Sequence, residues 1–160
     1  MAHKEQWVFC GKVKGLHPEY FENKKVLDIG SFDVNGNEEF LFKNCDFTGL
    51  DIGEGDGVDV VCPAQDYDEP DETFDTIISC ECWEHNPFYA ESILNAIRML
   101  KSGGLFSSLV LQPVDLFMVY LIYKNNVLRN MIIGKLYLMS KEMIGITITI
   151  KILPKKISER

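Results

Sequence analysis

Positive charge is scarce in this 160-residue chain: 16 Lys and Arg stand against 24 Asp and Glu, a formal net charge of -8. A general binder of phosphate backbones uses clustered Lys and Arg to displace counterions. This balance argues against that class, general nucleic-acid binding included, and favours a small-molecule partner. Long apolar runs are also missing. The longest, Val114 to Tyr123, carries Asp115 and is about half the ~20 residues that a membrane-spanning helix needs, so no membrane partner is expected. No secretory signal precedes Trp7 and the opening MAHKEQ is polar, which makes a cytoplasmic location the expectation. The five cysteines (Cys10, Cys45, Cys62, Cys80 and Cys82) are an odd number, which disfavours a disulfide framework. Cys80 and Cys82 with His85 nearby suggest a metal, but no second Cys/His pair follows at zinc-like spacing. Ordinary strand-end cysteines, and no metal, are expected there. Internal repeats and low-complexity segments are absent.

The chain is 46% apolar and 25% charged, enough to bury one sizeable core in a single domain spanning residues 1–160. Short, continuous apolar runs recur at Val26 to Ile29, Phe47 to Asp51, Val58 to Cys62, Phe74 to Ser79 and Leu105 to Leu111. This is the form of strands covered on both faces in a parallel sheet. Between the last two, Ile93, Ile97 and Leu100 recur at helical spacing, and Ser102, Gly103 and Gly104 are expected to stop that helix and turn the chain into the next strand. The alternation of strands and helices predicts an α/β fold, a doubly wound, mostly parallel sheet with helices on both faces. Ligands of such sheets bind outside the carboxyl ends of the strands. The segments to inspect are therefore Asp28 to Asn37, Asp51 to Gly57, Cys62 to Asp66 and Cys80 to His85.

The first of these, in KKVLDIGSFDVNGN, is a strand running into a polar, glycine-bearing turn and then into helix-like sequence. A dinucleotide fingerprint would read Gly-x-Gly-x-x-Gly, but Phe32 and Asn35 break it, so a pyrophosphate cradle and a nicotinamide-dependent oxidoreductase are disfavoured. What stands there is an acid before the turn, Asp28, then Gly30, then the polar Ser31, Asp33 and Asn35. That set suits a cationic ammonium or the polar end of an amino acid. Asp51 closes the second strand about 20 residues after the first loop, where an acid accepts the hydroxyls of a ribose.

VLDIGS, then FTGLDIG, then FDTIISCECWEH, then IRMLKSGGLF resemble, in order and spacing, the motifs of the class I S-adenosylmethionine-dependent methyltransferases. The resemblance covers roughly residues 24 to 106 and implies a Rossmann-like, three-layer α/β/α domain with S-adenosylmethionine as cofactor. It also implies roles. Asp28, Gly30 and Ser31 would line the methionine end, and Asp51 with Ile52 would hold the ribose and adenine. Ala64 and Gln65 would sit at the adenine rim and Cys80 beside the methionine portion. Two positions depart from the pattern: Pro63 stands where many members have an Asp, and GSFDVNG replaces a Gly-x-Gly loop. His85 is the candidate general base, because histidine titrates near neutral pH; in such proteins the Glu84-His85 pair more often shapes the site. Trp83, Phe88 and Tyr89 read as a substrate wall or as core. The acidic run Asp66 to Asp75 reads as a solvated loop.

After Phe106 the chain turns rich in Ile, Leu, Met and Lys and loses nearly all its acids. Residues 107–160 thus read as an atypical, shortened tail, with Val114 to Met143 largely helical and Ile144 to Leu153 an alternating strand. A one-base shift of reading frame near Phe106 also accounts for them. With suitable third bases, SSLVLQPVDLFMV can encode FTCVATSRPVHG and MIGITITIKILPKKIS can encode DWDYYYYKNITKKNI, both similar to the segments found after GGLF in this family. Sequencing the source DNA tests that shift. The sequence therefore supports a methyltransferase acting on an unidentified acceptor, and alternatively a non-catalytic nucleoside-binding domain. A sheet edge left open by the tail would favour a homo-oligomer.

Overall fold

In the computed structural model, the described residues are 4–33, 36, 38–111, 116–122 and 148–150. The apolar runs become strands β1 (Lys25–Ile29), β2 (Asp46–Asp51), β3 (Val60–Val61), β4 (Phe74–Cys80) and β5 (Leu100–Leu111). Two further strands, β6 (Leu116–Ile122) and β7 (Ile148–Ile150), extend the sheet, and helices α1 (Lys4–Leu16) and α2 (Tyr89–Met99) flank it. The strand order is β3-β2-β1-β4-β5-β6-β7. The first five strands in that order pair in parallel, and β6 then runs antiparallel to β5. This is the expected Rossmann-like, doubly wound sheet. Its order reverses between β1 and β4.

Alternating residues of each strand face opposite sides, so the parallel strands supply two cores. On one side Leu27, Ile29, Ile77 and Phe106 pack against Ile93, Ala96 and Ile97 of α2. On the other, Cys80, Leu105 and Leu109 pack against Phe9, Cys10 and Val13 of α1. Three layers result. Buried polar links add to the packing: within the sheet Ser79 Oγ donates to the Ile29 carbonyl at 2.9 Å, and the buried Trp83 donates its indole N–H to Ser108 Oγ of β5 at 2.7 Å. Trp83 is thus core, and Tyr89 packs against the same cluster.

Four details differ from the sequence expectations. Helix α1 has no counterpart among them, because Trp7, Val8 and Leu16 stay exposed while Phe9, Cys10 and Val13 turn inward; apolar residues on both faces blur the helical period. Among the described residues, the helix-like stretch after the first turn holds a 3-10 turn, Glu39–Leu41, and α1 is linked to it by Lys14 Nζ donating to the Leu41 carbonyl. The residues 101–104 do not separate α2 from its strand. Extended chain begins at Leu100, and three more residues lie on β5 than on β4 between the pairs Phe74–Leu100 and Thr76–Leu105, a bulge with Gly103 at φ +85°.

The fourth is β6, a strand where a helix was expected. A short, wholly apolar run fits either form by pattern. Here it pairs continuously with β5, from Leu111–Leu116 to Leu105–Ile122. The three residues of β7 fall within the expected strand at 144–153. The rest of the expected helix, and most of the segment that the reading-frame shift concerns, lie outside the described residues. Among those described, no helix is long and apolar enough to cross a membrane.

The Trp83–Ser108 link yields a stability test. Ser108→Ala leaves a buried indole N–H without its acceptor and should cost about 1–3 kcal/mol, read as a lower urea midpoint. In that background Trp83→Phe should cost less than it does in the wild type; strict additivity of the two changes would mean that the bond contributes nothing.

Candidate active site

A cavity of about 550 Å³ opens at the carboxyl ends of β1, β2, β3 and β4, over the point where the strand order reverses. The sequence-expected residues Asp28, Gly30 and Ser31 line it from β1, Asp51 and Ile52 from β2, and Ala64 and Gln65 from the turn after β3. Cys80 and His85 line it from β4 and the 3-10 turn that follows. Asn35 lies outside the described residues. Neither Lys nor Arg is among the described lining residues.

Asp28 is buried at the end of β1. Its carboxyl is held well above the usual carboxylate range, first by loss of solvent and then by the negative charges of Glu38 and Asp51. Burial likewise pushes Glu38 up to about 7, against a hydrogen bond from Gln6. Two polar atoms here are buried with no hydrogen-bond partner, Ser31 Oγ and Glu38 Oε1. Buried polar groups are normally paired, so these are free to meet a ligand. The floor is thus acidic, desolvated and short of donors.

Backbone geometry lets the first loop come close. Gly30 adopts φ +86°, and a Cβ there would stand 2.7 Å from Cys82 Cβ. The Gly30 N–H donates to the Leu50 carbonyl at 2.8 Å, tying the loop to β2. Asp51 joins the two loops: one oxygen accepts from Gly53 N–H at 3.0 Å and the other from Phe32 N–H at 3.3 Å. A carboxylate offers about four lone-pair sites, so these bonds orient Asp51 without exhausting it.

The opposite wall is held by α2. Asn95 Nδ2 donates to the carbonyls of Ala64 at 3.0 Å and Tyr67 at 2.7 Å. Ser92 Oγ donates to Gln65 Oε1 at 3.2 Å and accepts from Asn86 Nδ2 at 2.9 Å. Farther out, Arg98 pairs with Asp68 at 3.2 Å and Asp71 at 2.8 Å. The acidic run is therefore partly pinned to the helix, not simply solvated. His85 and Phe88 stand exposed at the mouth. Phe88 is the one member of the expected aromatic wall that stays exposed.

Sequence reasoning missed Gln6, Glu38 and Cys82 as lining residues. Gln6 comes from the unforeseen α1, and Glu38 from a connection read as helix, so nothing in their spacing marked them. The Cys80–Cys82 spacing did carry a signal. In the structure, Cys80 turns to the α1 side, 3.7 Å from Cys10 Sγ, whereas Cys82 packs beneath Gly30. Burial and the Asp51 carboxylate push the Cys82 thiol up to about 12.

Known proteins share this fold. No curated protein matches the chain by sequence. Similar solved structures include the Burkholderia thailandensis 1,6-didemethyltoxoflavin-N1-methyltransferase, determined with 1,6-didemethyltoxoflavin and S-adenosylhomocysteine bound. It is 21% identical, with a TM-score of 0.53, over 64% of this chain and 51% of its own. A candidate sarcosine dimethylglycine methyltransferase from Galdieria sulphuraria is 18% identical, with a TM-score of 0.54, over 64% of this chain and 45% of its own. A candidate methyltransferase from Bacillus halodurans is 22% identical, with a TM-score of 0.50, over 62% and 45%. The chain spans about half the length of these structures, and at such identities the likeness concerns the fold. The family profile described as "Methyltransferase domain" matches residues 27–108, more than half of the sequence, and the chain belongs to that family, the class I S-adenosylmethionine-dependent methyltransferases.

Proposed function

We propose that this chain binds S-adenosylmethionine in the cavity at the β1/β4 reversal and transfers its methyl group to a small-molecule acceptor entering past Phe88 and His85. The observation that carries the reading is that Asp28 and Asp51, from the carboxyl ends of adjacent strands, line one cavity whose described lining has no Lys or Arg. Desolvated acids without cationic neighbours favour a positively charged ligand. The donor fits: its ammonium and sulfonium are cationic, its ribose offers two hydroxyls and its adenine is flat and largely apolar.

When bound, the cofactor supplies an already activated methyl group, so the chain's own residues mainly bind, orient and exclude water. Asp28 and the unpartnered hydroxyl of Ser31 face the amino-acid end, and Gly30 lets the backbone close on it. Asp51, held by two backbone N–H groups, accepts from the ribose. Ile52 on one side and Ala64 with Gln65 on the other sandwich the base. Cys80 closes the floor beside the methionine portion, and Asn35, four residues after Ser31 in the sequence, completes the polar set for the amino-acid end. His85 is the group at the mouth able to accept a proton from an acceptor that arrives protonated.

Calorimetric titration with S-adenosylhomocysteine tests the binding half of this reading. One-to-one saturation is expected. Asp51→Ala should weaken it by about 10- to 100-fold, the equivalent of one or two hydrogen bonds to a charged group, and Asp28→Asn should weaken it by about tenfold. A folded chain that does not bind, or that binds equally well in the Asp51 variant, would overturn the assignment.

Turnover separates an enzyme from a binding domain. In an acceptor screen read by S-adenosylhomocysteine release, His85→Gln should leave cofactor binding unchanged. It should lower kcat about 100-fold or more only for acceptors that must lose a proton before attack. Equal loss with every acceptor would assign His85 to shaping the site.

A further inference from the structure

Outside the cofactor reading, one cluster is built like a ligand set. Cys10 of α1, Glu38 of the β1–β2 connection and Cys80 at the end of β4 converge from three separate elements, each offering one ligand atom, with all three atoms within 4.8 Å of one another. The three residues are 3%, 3% and 8% exposed. The two sulfurs are 3.7 Å apart. Around a tetrahedral zinc with Zn–S bonds of ~2.3 Å, two thiolates stand about 3.8 Å apart, so the sulfur pair already spans one edge of such a site. A second observation points the same way: Glu38 Oε1 is buried with no hydrogen-bond partner.

We propose that Cys10, Cys80 and Glu38 form a Zn²⁺ site that fastens helix α1 to the floor of the cavity. Two thiolates and a carboxylate select a borderline-soft divalent ion over Mg²⁺ or Ca²⁺, which prefer all-oxygen sites. Each Zn–S bond that forms replaces the S–H bond of its cysteine, and the proton leaves to solvent. Glu38 and Cys80 line the cavity and Cys10 lies behind them, which gives the ion a path in and leaves its fourth position on the cavity side. The site also accounts for α1, whose exposed Trp7, Val8 and Leu16 leave it only a narrow apolar stripe with which to dock. The proposal does not rest on the methyltransferase reading.

The test is titration of the reduced, full-length chain with Co²⁺ as a spectroscopic stand-in for zinc. One equivalent should produce a sulfur-to-cobalt charge-transfer band and the visible bands of a tetrahedral ion, both bleached by Zn²⁺. Cys10→Ser should cut the charge-transfer intensity to half or less, Glu38→Gln should weaken binding by at least about tenfold, and Cys45→Ser should change nothing. X-ray absorption of the zinc-loaded wild type needs no variant and should count two sulfurs at ~2.3 Å. No charge-transfer band, a band undiminished in Cys10→Ser, or a zinc shell without two sulfurs would overturn the proposal. So would reduced protein that takes up no metal and in air simply links Cys10 to Cys80.

Discussion

The arrangement depends on one carboxyl group that the fold takes out of water. Asp28 sits at the end of the central strand β1, almost wholly buried, with Glu38 and Asp51 as negative neighbours. An isolated charge in such a place is costly. Burial therefore makes it hold its proton more tightly than an ordinary carboxyl, and its negative neighbours add to that hold. The parallel strands β2 and β4 on either side of β1 close off the solvent, so the same pairing that builds the sheet creates the electrostatic deficit at its end.

Around that floor the walls have separate supports. The loop after β1 is tied to β2 through the Gly30 N–H and the two-loop grip of Asp51. The turn after β3 hangs from α2 through Asn95 and Ser92. The loop after β4 begins at Glu81, whose φ of +54° is unusual for a side-chain-bearing residue and turns the chain sharply toward Cys82 and the mouth. Such backbone conformations concentrate at functional sites.

The sheet and its ligand-binding edge were legible in the sequence because β1 and β2 are short runs with an acid at or next to their carboxyl ends, as VLDI and FTGLD show. Periodicity of Ile93, Ile97 and Leu100 located α2. What escaped was set by partners distant in sequence. Helix α1 is narrow in its apolar face, and only packing against Leu105 and Leu109 makes it a layer. Glu38 looks like one acid among several until the fold buries it. Strand β6 was misread because seven consecutive apolar residues carry no period, and its form is decided by the available edge of β5. Cys10 and Cys80, 70 residues apart, could not be paired by spacing.

The strand order also constrains the path of folding. β1 is the central strand of the cavity, yet its two neighbours come from residues 46–51 and 74–80, and the polypeptide must cross back over β1 to lay down β4. Even the early segment around Tyr20 finishes its contacts late, since its hydroxyl donates to the Gly103 carbonyl. Pairings this distant require loop closure before they stabilise anything. A chain emerging from the ribosome thus carries β1 with an unsatisfied edge until residue 80 has cleared the exit, which makes this interval the window for chaperone capture or misassembly.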